Sequence, residues 1–117
     1  MSDTTIPKAG EIAPGEVLVG GVSFASRLES SEVITGTPTA VVAQLYGATD
    51  ADGIATSSVA KNSATATIDG ASVAAGKGVM FTVTADSNAV AGSAYQVTVT
   101  AATASQTLIE RVNITIV

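Results

Sequence analysis

"VMFTVTADSNAVAGSAYQVTVTAATASQTLIERVNITIV", residues 79–117, decides the fold class. In its first run Val79, Phe81, Val83 and Ala85 fall on one side, and Met80, Thr82 and Thr84 on the other. In the second, Tyr95, Val97, Val99 and Ala101 alternate with Gln96, Thr98 and Thr100. In the third, Leu108, Val112, Ile114 and Ile116 share a side that Glu110 interrupts, opposite Ile109, Arg111, Asn113, Thr115 and Val117. A period of two with β-branched and threonine-rich composition is the pattern of half-buried antiparallel strands. "DSN" and "AG" separate the first two runs, and "TASQ" (103–106) is read as the hairpin turn between the last two.

Working outward, the same period runs more weakly through 17–25, 33–35, 39–46, 64–68 and 71–74. Turn signals divide these runs: "GTP" at 36–38, "DADG" at 50–53, "DG" at 69–70 and "AGKG" at 75–78. Residues 48–64 are the least patterned and read as a long loop with at most one short strand. About seven short strands in a hundred residues predict an all-β chain, an immunoglobulin-like antiparallel β-sandwich. Tyr95, early in its strand and after a glycine-bearing turn, stands where a tyrosine corner would sit.

Residues 1–16 stand apart. "IPKAGEIAPGE" holds Pro7, Gly10, Pro14 and Gly15 and follows neither period. They are read as an extended N-terminal arm, with the sandwich domain at 17–117. The arm is either a frayed terminus or a segment that orders on a neighbouring subunit. On this reading residues 2–14 are dispensable for folding.

Composition excludes most chemistry. The 117 residues include no cysteine, histidine or tryptophan, and four aromatics: Phe24, Tyr46, Phe81 and Tyr95. Disulfides, thiolate nucleophiles and cysteine-bound zinc are therefore excluded, and so is imidazole acid–base work. For a serine nucleophile, Lys61 and Lys77 are the available bases, and both lie beside turn residues. "TDADG" (49–53) opens like an oxygen-ligand calcium loop, but no further acid follows before Asp69, so a polar turn is the better reading. Asn113-Ile-Thr115 is formally a glycosylation sequon inside a predicted strand, and carries no weight. No enzyme, cofactor or metal is expected.

The net charge of −5 is spread out, and the five basic residues (Lys8, Arg27, Lys61, Lys77, Arg111) do not cluster, so nucleic acid is not an expected partner. The opening "MSDTTIPKAG" lacks the basic and apolar regions of a signal peptide, and the longest uncharged stretch, 87–109, is too polar for a membrane span. Synthesis in a cytoplasm is expected. A carbohydrate-binding module is a rival, weakened because Phe81 and Tyr95 fall on core faces, leaving Phe24 and Tyr46 to form a platform. A bacterial surface adhesin is a second rival.

Charge is concentrated in "VSFASRLESSEVITG" (22–36), which holds Arg27, Glu29 and Glu32. Paired carboxylates on a link without a pocket signal do not read as acid–base machinery. Two readings stay open: a corner in which Arg27 pairs with Glu29, Glu32 or Glu110, and a surface that meets another protein. Arg27, Glu29, Glu32 and Arg111 are the candidate protein-contact residues.

Taken in order, "VSFASRLESSEVITG" and "GVMFTVTADSNAVAGSAYQVTVTAATASQTLIERVNITIV" resemble the fibre–tail adaptor family of tailed bacteriophages. The shared features are a strand ending in a Ser-Arg-Leu step with acids, a Gly-x-x-Tyr strand, and a final hairpin closing on a charged step. The resemblance spans about 17–46 and 78–117 and leaves 47–77 unmatched. It implies an immunoglobulin-like virion protein joining tail or connector to fibres, or a similar module that decorates or cements a capsid. The partners it implies are other phage structural proteins, met in multiple copies in a symmetric particle. Localisation to the virion follows from the same resemblance.

Overall fold

The computed structural model describes residues 9–47, 53–68 and 70–117. It is an all-β sandwich of nine strands among these residues: β1 (Ala9–Ile12), β2 (Val17–Ser23), β3 (Thr35–Tyr46), β4 (Ile54–Lys61), β5 (Ala66–Ile68), β6 (Ala71–Val73), β7 (Gly78–Ala85), β8 (Ala94–Ala102) and β9 (Thr107–Ile116). One layer is ordered β1-β9-β8-β3 and the other β2-β7-β4, and β5-β6 form a separate hairpin. All pairs are antiparallel except β1 with β9.

The alternation in 79–117 is reproduced residue by residue. Val79, Phe81, Val83, Tyr95, Val97, Val99, Val112, Ile114 and Ile116 are buried between the layers. Phe24 and Ile34 join them with no exposed surface, although neither lies in a strand. Of the strand expected at 33–35, Thr35 opens β3, while Val33 and Ile34 lie outside any strand and the Ile34 N–H donates to the Gly76 carbonyl at 2.8 Å. Two glycines allow close packing against aromatic rings. A Cβ on Gly20 would lie 2.9 Å from Phe81 Cε2, and one on Gly53 would lie 2.8 Å from Tyr95 Cε1. The Tyr95 ring is buried, as its place at the strand start implied.

Two expectations are corrected. Residues 9–16, read as the second half of an arm, belong to the domain: β1 runs beside β9 and Ile12 has no exposed surface. The Val117 N–H donates to the Ile12 carbonyl, the Glu16 carbonyl accepts from the Ala85 N–H, and the Gly15 N–H donates to the Ala85 carbonyl. The period was hidden because a four-residue strand, Ala-Gly-Glu-Ile, offers one large apolar side chain to the core. Residues 1–8 lie outside the described residues. The second concerns 48–64, read as a long loop with one short strand allowed: β4 is that strand, and at eight residues it takes up about half of the stretch. A register shift between Ser57 and Ala60 interrupts its ladder with β7, and Ser58 takes a φ of 53°, so no two-residue period survives.

Candidate protein-contact site

The stretch after β2 carries the charges, and its backbone explains their position. Ser23 ends β2, its hydroxyl accepts from the Ala25 N–H, and a 3₁₀ turn follows at Ala25–Arg27. The segment then crosses the end of the sandwich to β3, passing the β8–β9 turn. Serine and glutamate suit such a crossing because they bond the local backbone and need no burial.

Three cations fasten the crossing. Arg27 Nη1 donates to Glu110 Oε2 and to the Ile109 carbonyl, each at 2.8 Å. Lys77 Nζ donates to the carbonyls of Glu29 (2.7 Å) and Glu32 (3.0 Å). Lys61 Nζ donates to the Ile34 carbonyl at 3.1 Å. The sequence left three partners open for Arg27, and the structure selects Glu110.

Glu32 is the centre of the other contact. Its carboxylate accepts from the Thr103 hydroxyl (2.7 Å), the Ser105 hydroxyl (3.1 Å), Gln106 Nε2 (3.0 and 3.1 Å) and the Glu29 N–H (3.3 Å). Donation by Thr103, then by Gln106 and the Glu29 backbone, holds its carboxyl down at about 2, from an ordinary 4.5. "TASQ" is therefore both a turn and a set of donors aimed at one anion, which a turn signal alone does not reveal.

The four candidates do not form one patch. Arg27, Glu29 and Glu32 line a shallow open depression with Ser31, Ser105 and Gln106. Arg111 lies elsewhere: the strand pleat sends Glu110 toward Arg27 and Arg111 to the outer face. Of the four, Glu32 is saturated and Arg27 is paired, although its side chain remains 42% exposed. The carboxylate of Glu29 and the guanidinium of Arg111 are exposed, with no hydrogen bond or ion pair among the described residues.

Reactive alternatives find little geometry. Ser58-Val-Ala-Lys61 has Ser-x-x-Lys order, but it lies on an irregular strand and not on the helix that brings i and i+3 together in that motif. Its lysine amine is bonded to Ile34. No group of three or more acidic side chains among the described residues converges to hold a metal ion. Asp50 and Asp52 of "TDADG" lie outside the described residues. No described helix is long and apolar enough to cross a membrane. Of the two rings left for a sugar platform, Phe24 is fully buried and Tyr46 is 61% exposed.

Sequence reasoning missed Asn62, whose neighbours "KNSA" read as part of a loop. It is 6% exposed, and its Nδ2 reaches the carbonyls of Ala64, Val73 and Ala74 at 3.1, 3.2 and 2.9 Å. Its Oδ1 accepts from the Gly78 N–H at 3.0 Å. No protein-family model matches the chain, and no curated protein matches its sequence.

Proposed function

We propose that this chain is a non-enzymatic structural protein of a tailed-phage particle, an immunoglobulin-like module that binds other virion proteins as an adaptor between tail or connector and fibres. The strand order supports the immunoglobulin-like part. β2-β7-β4 against β9-β8-β3 corresponds to three strands of one sheet facing three of the other in that sandwich, with β5-β6 an added hairpin.

One observation carries the functional reading. The two stretches on which the resemblance rests meet at one end of the molecule, through residues more than seventy positions apart in sequence. Arg27 reaches Glu110, and Glu32 is gripped by Thr103, Ser105 and Gln106. A motif that assembles into one exposed corner is a surface a partner can read. Glu29, with its carboxylate uncommitted, and the outer edge of the Arg27 guanidinium are the groups it offers. Neither a cofactor nor nucleic acid enters this reading.

Cryo-electron microscopy of particles from a phage encoding this chain tests it. Density for the domain at a six- or twelve-fold collar supports the adaptor. Hundreds of copies on the head would convert the reading to capsid decoration, and absence from the purified particle would end the virion reading altogether.

A further inference from the structure

The four-stranded layer has a second face, and its chemistry is unlike that of the corner. Strands β1, β9, β8 and β3 contain three charged residues, Glu11, Glu110 and Arg111. Glu110 is taken by Arg27 at the corner. The outer face is left with two charges of opposite sign, both exposed and both without an ion pair among the described residues.

Register fixes where they lie. Glu11 stands beside Thr115 on β9, and Arg111 is four residues earlier on that strand. Four steps of about 3.3 Å and one inter-strand spacing of about 4.8 Å separate them by roughly 14 Å. The surface beside them is neutral and partly apolar. Val41 is 61% exposed and Ile109 41% exposed, with Thr98 and Thr100 on the strand between.

We infer that this outer face binds a second copy of the chain, with Glu11 of each copy meeting Arg111 of the other. Two unpaired opposite charges on one flat face are self-complementary. A two-fold axis lying in the interface, midway between them and perpendicular to the line joining them, brings each onto its opposite. The same rotation sets the two sheets face to face with their strands near alignment, the common way for sheets to stack. It also covers Val41 and Ile109, which otherwise stay in water.

The area sets the strength. Nine residues of β9 by four strands give on the order of 500 Å² per copy, or about 1,000 Å² in all, the lower end for specific association. The dimer is therefore weak and concentration-dependent, and salt loosens it. It would suit a multi-copy particle, but it rests on this face alone. A failure here leaves the virion reading standing, and absence from a particle leaves the dimer standing.

Sedimentation equilibrium of the purified full chain, from about 10 to about 500 µM, tests the inference over the range where an interface of this size acts. The expected mass climbs from 11.5 kDa toward twice that value as concentration rises. Arg111→Glu or Glu11→Arg alone should weaken association about tenfold or more, and the double reversal should restore it. Thr98→Lys, which adds charge near the centre, should also keep the chain monomeric. Circular dichroism checks that each variant is folded. A wild-type monomer throughout overturns the inference. So does a double reversal that fails to restore association, or a dimer that Val19→Lys on the opposite sheet breaks while Thr98→Lys does not.

Discussion

Two places in this molecule tie distant segments together with side chains, and they do so by opposite means. At the corner Arg27, Lys77 and Glu32 bridge the 24–34 crossing to the β8–β9 hairpin and the β6–β7 turn, in contact with water. At the other, neutral and buried Asn62 gathers the carbonyls of Ala64, Val73 and Ala74 and the N–H of Gly78. The contrast teaches where polar groups matter for stability. Charges facing water keep good alternatives when their partner is lost, whereas backbone groups buried around an amide have none. Prominence in the sequence and energetic weight are therefore inverted in this protein.

The sharpest test is Asn62→Ala. It takes the amide from the buried Gly78 N–H and Val73 carbonyl and from the half-buried Ala64 carbonyl, while the Ala74 carbonyl keeps the Lys77 N–H; the loss costs about 3 kcal/mol. For a domain of this size that is a fall in Tm on the order of 10 °C, read by thermal denaturation. Loss should concentrate in the β5-β6 hairpin, so hydrogen exchange there should accelerate before the β8-β9 ladder does. A change of under 2 °C would erase the distinction drawn between the two clamps.

Glu32→Gln comes next and carries a pH signature. The folded carboxyl is held at about 2 by Thr103, Gln106 and the Glu29 N–H, against an ordinary 4.5. A depressed folded value means the unfolded chain takes up a proton first as the pH falls. The stabilisation is thus complete above about 4.5 and is lost progressively down to about 2. The wild type should melt above the glutamine variant at pH 7, and the gap should close across that window. A gap that did not change with pH would mean that the charge on Glu32 adds nothing to these bonds.

How much of this was legible follows the same division. The strands at 78–85, 94–102 and 107–116 announce themselves because each has one dry face and one wet face, which is what a period of two records. β4 does not, because its bulge shifts the phase and its small residues, Ala55, Ser57 and Ala60, suit either side. β1 does not, because its pairing with β9 is supplied by backbone and by Ile12 alone. Asn62 and Thr103 carry no signal of their own, since a buried asparagine and a turn asparagine look alike until the fold encloses one of them. The charges of 22–36 were visible at once. Sequence narrowed Arg27 to three partners, and only the pleat of β9 separates Glu110 from Arg111.

Arg27→Ala gives the smallest effect and the finest discrimination. The guanidinium bonds Glu110 and the Ile109 carbonyl through one nitrogen at 2.8 Å, with both side chains partly in water. An exposed pair of this kind contributes about 0–1 kcal/mol, so Tm should fall by no more than a few degrees and by less in high salt. That is too little for Arg27 to be explained as a stabilising corner. If Arg27→Ala leaves melting nearly unchanged yet lowers incorporation into particles, the residue acts through a partner. A fall as large as that of Asn62→Ala, with incorporation following stability alone, would make the corner a structural clamp and end its role as a contact. Arg27→Lys refines the outcome. A lysine can keep the single bond to Glu110 but not a bidentate grip on a partner carboxylate, so only the contact role predicts that it fails in assembly while melting like the wild type.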